Sequence, residues 1–100
     1  MKHVYVVGYY QSPFGKLLDT SIPKMVSDAV EGVCREVGVP PSLADVGSIG
    51  ATCNLSLNGQ GLLSGLMAMV PGLEGKPIEA VENACATGGQ AVLSVIHKLQ

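Results

Sequence analysis

From Ile22 onward the apolar side chains Ile22, Met25, Val26, Ala29, Val30, Val33, Cys34 and Val37 recur at the three- and four-residue spacing of one helical face. A chain carrying such a stripe has to bury a helix against something else, and this requirement limits the folds open to it. Thr20 or Ser21 supplies the cap, and Pro23 falls where a first turn tolerates it. Gly38 offers a left-handed exit, and Pro40 and Pro41 forbid continuation.

Strand signals alternate with the helical ones. His3 to Gly8 is rich in β-branched and aromatic residues and ends on glycine, which predicts a first, buried strand. Gln11 to Leu18 reads as a loop around Pro13 and Gly15, with Phe14 as its apolar anchor. Val46 to Cys53 is a weaker strand, interrupted by two glycines that mark close backbone approach. Gly61 to Val70 predicts a short apolar helix stopped by Pro71-Gly72, and Pro77 to Asn83 a third strand. Ala86 to Leu99 returns to helical spacing through Val92, Leu93, Ile96 and Leu99. The alternation predicts an α/β fold: a mainly parallel sheet, right-handed crossovers and helices on both faces. The last helix still shows an apolar face at Leu99, and a three-strand sheet leaves surface that needs a partner. We therefore expect residues 1–100 to be part of a larger domain, incomplete at the C-terminal end and poorly stable alone.

Composition narrows the function. Hydrophobic residues make up 47% and charged ones 14%, so the chain folds rather than staying disordered. Six Lys and Arg residues, scattered, and a net charge of −2 disfavour nucleic acid as a partner. The apolar start soon meets Gln11, Ser12 and Pro13, too short and polar for a signal peptide, and no apolar run approaches the roughly 18 residues of a membrane span. A soluble, cytoplasmic protein without membrane partners is the expectation. Cys34, Cys53 and Cys85 are widely spaced and odd in number, which suits neither a disulfide framework nor a metal site.

Cys85 stands out by position, because it sits where a strand gives way to a helix. A thiol there faces unpaired backbone N–H groups and the positive end of the helix dipole, which favour the nucleophilic thiolate. Ala86, Gly88 and Gly89 leave room beside the sulfur, and the same N–H donors suit an oxyanion formed by attack on a thioester carbonyl. The competing reading is an inert core cysteine, among the commonest fates of that residue type.

The stretch Asn83-Ala84-Cys85-Ala86-Thr87-Gly88-Gly89 resembles the active-site cysteine motif of the thiolase family, closest to the sterol-carrier-protein type. Val4-Tyr5-Val6-Val7-Gly8 followed by Ser12-Pro13-Phe14-Gly15-Lys16 is similar to that family's first strand and loop, and Gly59-Gln60-Gly61 to the segment before its third strand. Ketoacyl synthases and hydroxymethylglutaryl-CoA synthases carry related cysteine turns, and the opening loop favours thiolase over them. Gln11 and Glu82-Asn83 depart from the residues common in biosynthetic and degradative thiolases. The resemblance implies the N-terminal portion of a thiolase N-terminal domain. Its implied activity is acyl transfer between CoA thioesters, as acetyl-CoA acetyltransferase or 3-ketoacyl-CoA thiolase, with Cys85 as catalytic nucleophile and acyl carrier. It implies acyl-CoA substrates, no cofactor, no metal, and a homodimer or homotetramer. It also implies an activating histidine and a second cysteine in a later part of the subunit. A non-catalytic scaffold or lipid-binding relative, or a sterol side-chain aldolase of thiolase fold, is the alternative.

The remaining candidates read as structural. His97 lies twelve residues beyond Cys85 on the same helix, about 18 Å away and out of hydrogen-bond reach. His3 precedes the first strand, and Cys34 falls on the apolar stripe of the first helix. Cys53 ends a strand, where a structural role is expected although a cleft is within its reach. Met67 and Met69 read as packing residues, and Asn58-Gly59-Gln60-Gly61 lacks the lysine and spacing of a phosphate loop.

Overall fold

A computed structural model describes residues 2–100. The amphipathic stripe forms helix α1 (Ile22–Val37). Ser21 Oγ caps it by accepting from the Lys24 N–H at 3.2 Å. Gly38 closes it at φ +82°, and the N–H groups of Gly38 and Val39 both reach the Cys34 carbonyl, at 2.8 and 3.0 Å. The inward side chains Ile22, Val26 and Val30 pack with Val70, Leu73, Leu66 and Met67. Val70 and Leu73 are 4% and 3% exposed. Such burial contributes roughly 1.5–3 kcal/mol per side chain and anchors α1.

Strand β1 (Gly47–Gly50) is followed by the short helices α2 (Asn54–Asn58) and α3 (Leu63–Ala68), and then by strand β2 (Ile78–Val81). The two strands pair in parallel, Gly47 with Ile78 through Gly50 with Val81, so α2 and α3 lie on the crossover that parallel strands require. Helix α4 (Thr87–Leu99) follows β2 through a single 3₁₀ turn, Ala84–Ala86.

The pleat separates the two faces of this sheet. Ile49 and Ile78 point into the core beneath α1 and α3, and an added methyl at Gly47 would meet Met67. Ser48 and Glu79, one residue along, point toward α4. An added methyl at Gly50 would run into Thr87 Cγ2 and lie 3.0 Å from the Val81 carbonyl. The result is an α/β arrangement with helices on both faces of a parallel sheet, as the alternation predicts. Among the described residues no helix is long and apolar enough to cross a membrane.

Two expectations are corrected. Among the described residues His3 to Gly8 forms no strand, and the sheet has two strands rather than three. Tyr5, Val6 and Val7 are exposed. Residue type sets which segments suit a pleated surface, but only a partner edge makes a strand. This segment instead runs beside α1, with Gly8 against Val33 and Val37 and the Tyr10 ring over Gly32. Phe14 does not anchor its loop and is 99% exposed. In α4, Val92, Leu93 and Leu99 are exposed, so the apolar face that the sequence shows on this helix stays uncovered among the described residues. Thr87, through its methyl at Gly50, and Ser94 and Lys98, through Glu79, are among the α4 residues that meet the sheet.

Lys98 Nζ lies 2.7 Å from Glu79 Oε2 and ties α4 to β2. The hydrogen bond from Lys98, then that from Ser94, holds the Glu79 carboxyl below the usual glutamate range. Because the folded-state value is lowered, the associated stability is present above the ordinary glutamate pKa and lost as pH falls through the lowered value. In the complete protein, Lys98→Met is expected to return Glu79 toward its ordinary titration, read from its carboxyl carbon by NMR. Gly32→Ala drives a methyl into the Tyr10 ring and is expected to cost about 1–3 kcal/mol, measured by thermal denaturation.

Candidate active site

The chain leaves β2 at Val81, passes Glu82 and Asn83, turns through Ala84, Cys85 and Ala86, and enters α4 at Thr87. Ala84 holds the turn open at φ +47°, in the left-handed region that L-residues other than glycine, asparagine and aspartate seldom visit. Local polar groups stabilise that conformation. The Ala84 N–H donates to Glu82 Oε2, and the Ala86 N–H donates to the Asn83 carbonyl at 2.9 Å.

Thr87 is 3% exposed and lies at the centre of these contacts. Its Oγ1 accepts the Asn83 N–H at 2.9 Å and donates to the Ala84 carbonyl at 2.7 Å. Thr52, just past the end of β1, donates its own hydroxyl to the same carbonyl at 2.5 Å, and the two hydroxyl oxygens lie 3.4 Å apart. The Thr87 N–H also points to the Ala84 oxygen.

Cys85 is a free, exposed thiol in the middle of this turn, where the sequence places it. Ala86 occupies the cap position of α4 and provides no side-chain acceptor, so no side chain competes for the first amides of the helix. Added methyl groups at Gly88 and Gly89 would meet open space, so the described packing does not need glycine there and the approach to α4's first turn is clear. An accessible sulfur on the turn just ahead of a helix that has no side-chain cap is suited to attack on a carbonyl, with the helix's N-terminal end favouring the negative charge that results.

An open cleft of about 680 Å³ borders the turn, lined by Cys53, Asn54, Gln60, Leu63, Val81 and Ala84 among others. Cys53 thus lines a cleft, as its strand-end position allows, and is exposed at φ +56° at the start of α2. Asn54 is buried beneath it. Its Nδ2 donates to the Gln60 carbonyl and its Oδ1 accepts from Asn58 Nδ2 at 3.2 Å, which fixes the α2 wall. Gln60 Oε1 in turn accepts the Leu62 N–H at 3.2 Å.

The other sequence candidates are not brought to the turn. Cys34 is half-buried on α1. His97 is exposed in the last turn of α4, at the opposite end from Cys85, and His3 is exposed in the N-terminal segment beside Tyr5. Sequence reasoning missed Thr52, Asn54 and Thr87. A threonine two residues after the cysteine, at a helix start, is a local cue, since such hydroxyls bond nearby backbone. Thr52 and Asn54 gave no comparable cue.

Ala84→Val places a β-branched side chain where the left-handed conformation already costs about 1–2 kcal/mol, and is expected to lower the thermal midpoint of the complete protein. Ala84→Gly, free to adopt that conformation, is expected to stay within about 1 kcal/mol of the parent in the same measurement.

No family model matches the chain. Curated relatives do, two of them over nearly all of it. An acetyl-CoA acetyltransferase of Methanothermobacter thermautotrophicus is 35% identical over 96 residues, covering 96% of this chain and 25% of the relative. An acetyl-CoA acetyltransferase of Methanocaldococcus jannaschii is 31% identical over 99 residues, covering 95% of this chain and 25% of the relative. The chain therefore spans about a quarter of the length of the curated relatives it matches.

Proposed function

The chain belongs to the thiolase family, and on that premise we propose that it supplies the nucleophile of an enzyme transferring acyl groups between CoA thioesters, with Cys85 as the acyl carrier. The observation that carries this reading is the exposed Cys85 thiol, held on a strand-to-helix turn ahead of the uncapped first turn of α4.

The Cys85 sulfur attacks the thioester carbonyl carbon of an acyl-CoA, and the carbonyl π electrons move onto oxygen. The Thr87 N–H is engaged with the Ala84 oxygen, so the N–H groups that follow it in the first turn of α4 are the donors this chain offers that oxyanion, and the helix already fixes them. Collapse of the tetrahedral adduct breaks the carbon–sulfur bond to CoA, which leaves as its thiol with a proton, and the acyl group remains on Cys85 as a thioester. Attack by the α-carbon of a second acyl-CoA forms the carbon–carbon bond and frees Cys85, and the reverse sequence cleaves a 3-ketoacyl-CoA. Other parts of the complete subunit provide the base that activates Cys85 and the group that moves the α-proton. No cofactor is required, and the complete protein works in the cytoplasm as a homodimer or homotetramer.

Two facts support acyl transfer over a non-catalytic scaffold. Both relatives are named for acetyl transfer to or from acetyl-CoA, and Cys85 is kept exposed rather than buried. Mixing the complete protein with acetyl-CoA and mapping its peptides by mass is expected to place an acetyl group on Cys85 and not on Cys34 or Cys53. Cys85→Ala is expected to abolish both the adduct and turnover while leaving the thermal midpoint near that of the parent. Turnover near the parent's in that variant would falsify the assignment.

A further inference from the structure

We propose that Thr87 and Thr52 are positioning residues: their two hydroxyls clamp the Ala84 carbonyl from opposite chain segments and so set the direction in which Cys85 presents its sulfur. The inference rests on the reading of Cys85 as nucleophile.

The geometry is specific. Ala84 is the residue immediately before Cys85, and its peptide carbonyl belongs to the amide unit whose N–H is that of Cys85. Any rotation about that unit swings the Cys85 side chain. The carbonyl is fixed by Thr87 Oγ1 at 2.7 Å, which comes from α4, and by Thr52 Oγ1 at 2.5 Å, which comes from beyond β1. Each hydroxyl has one proton, and both protons are directed to the same oxygen. Thr87 has lone pairs left to accept the Asn83 N–H at 2.9 Å, so it holds the turn on both sides of the left-handed Ala84.

Burial makes the arrangement sensitive. Thr87 is 3% exposed, so water is poorly placed to replace its hydroxyl if that is removed. Packing fixes the side chain as well, because its Cγ2 fills the space left by the absent Cβ of Gly50. The hydroxyl and the methyl therefore do separate jobs. Valine keeps the methyl shape and removes the clamp, whereas serine keeps the clamp and removes the methyl.

The experiment uses the complete protein with Thr87→Val, Thr87→Ser, Thr52→Val and the double valine variant. Two quantities are read: the rate at which iodoacetamide alkylates Cys85, followed by peptide mass with Cys34 as internal reference, and the kcat and KM of acetyl transfer. We expect Thr87→Val to slow Cys85 alkylation and to lower kcat by about 10²-fold, the loss that a displacement of about 1 Å can produce, with little change in KM. Thr87→Ser recovers most of both. Thr52→Val has a smaller effect in the same direction, and the double variant is less than additive because the two hydroxyls share one acceptor. Should Thr87→Val fail to fold, Thr52→Val, whose side chain lies at the exposed rim, carries the same test. Slower alkylation restored by serine supports the clamp even in a protein that transfers no acyl group, so the clamp and the proposed activity fail separately. Equal Cys85 alkylation in the parent, Thr52→Val and Thr87→Val overturns it whatever the turnover shows.

Discussion

The parallel pairing of Gly47–Gly50 with Ile78–Val81 is the interaction on which the rest of this structure depends. Eight residues make the ladder, yet its register decides which side chains meet on each face. It directs Ile49 and Ile78 toward α1 and α3, and Ser48 and Glu79 toward α4. It also brings the two strand ends together, so that Thr52 leaves β1 beside the turn that leaves β2. A one-residue slip would exchange the faces and part Thr52 from Ala84.

Glycine is what lets that sheet lie so close to its covering helices. At Gly50 the space a side chain would need is filled by Thr87, and at Gly47 by Met67. The same two glycines weaken the strand signal in the sequence. Close packing around the site and poor local strand propensity are thus one feature seen at two levels, and tertiary contacts compensate for the local deficit.

Features encoded by neighbours along the chain were legible, and those encoded by pairing were not. The limits of α1 followed from the apolar spacing, Ser21 and Gly38, all within one helix. The turn carrying Cys85 was legible because strand, small residues and helix follow one another directly. His3 to Gly8 failed as a strand because its residue types say nothing about whether an edge is available to it. Val92 and Leu93 marked α4 as amphipathic but not which side meets the sheet; the side that does carries Lys98, paired with Glu79, and Thr87, whose methyl lies at Gly50. Thr52 escaped notice because its partner lies 32 residues away.

That separation also governs when the site comes into being. The Thr52–Ala84 contact closes a loop that contains α2 and α3, and the entropy of closing it has to be overcome before either hydroxyl can hold the carbonyl. Helix α1, by contrast, depends on contacts a few residues apart and can form within microseconds. The surroundings of Cys85 therefore belong to the slow, non-local stage of folding. During synthesis the chain passes through a period in which Cys85 has left the ribosome but has not acquired the geometry of its turn, and throughout that period it is an ordinary cysteine.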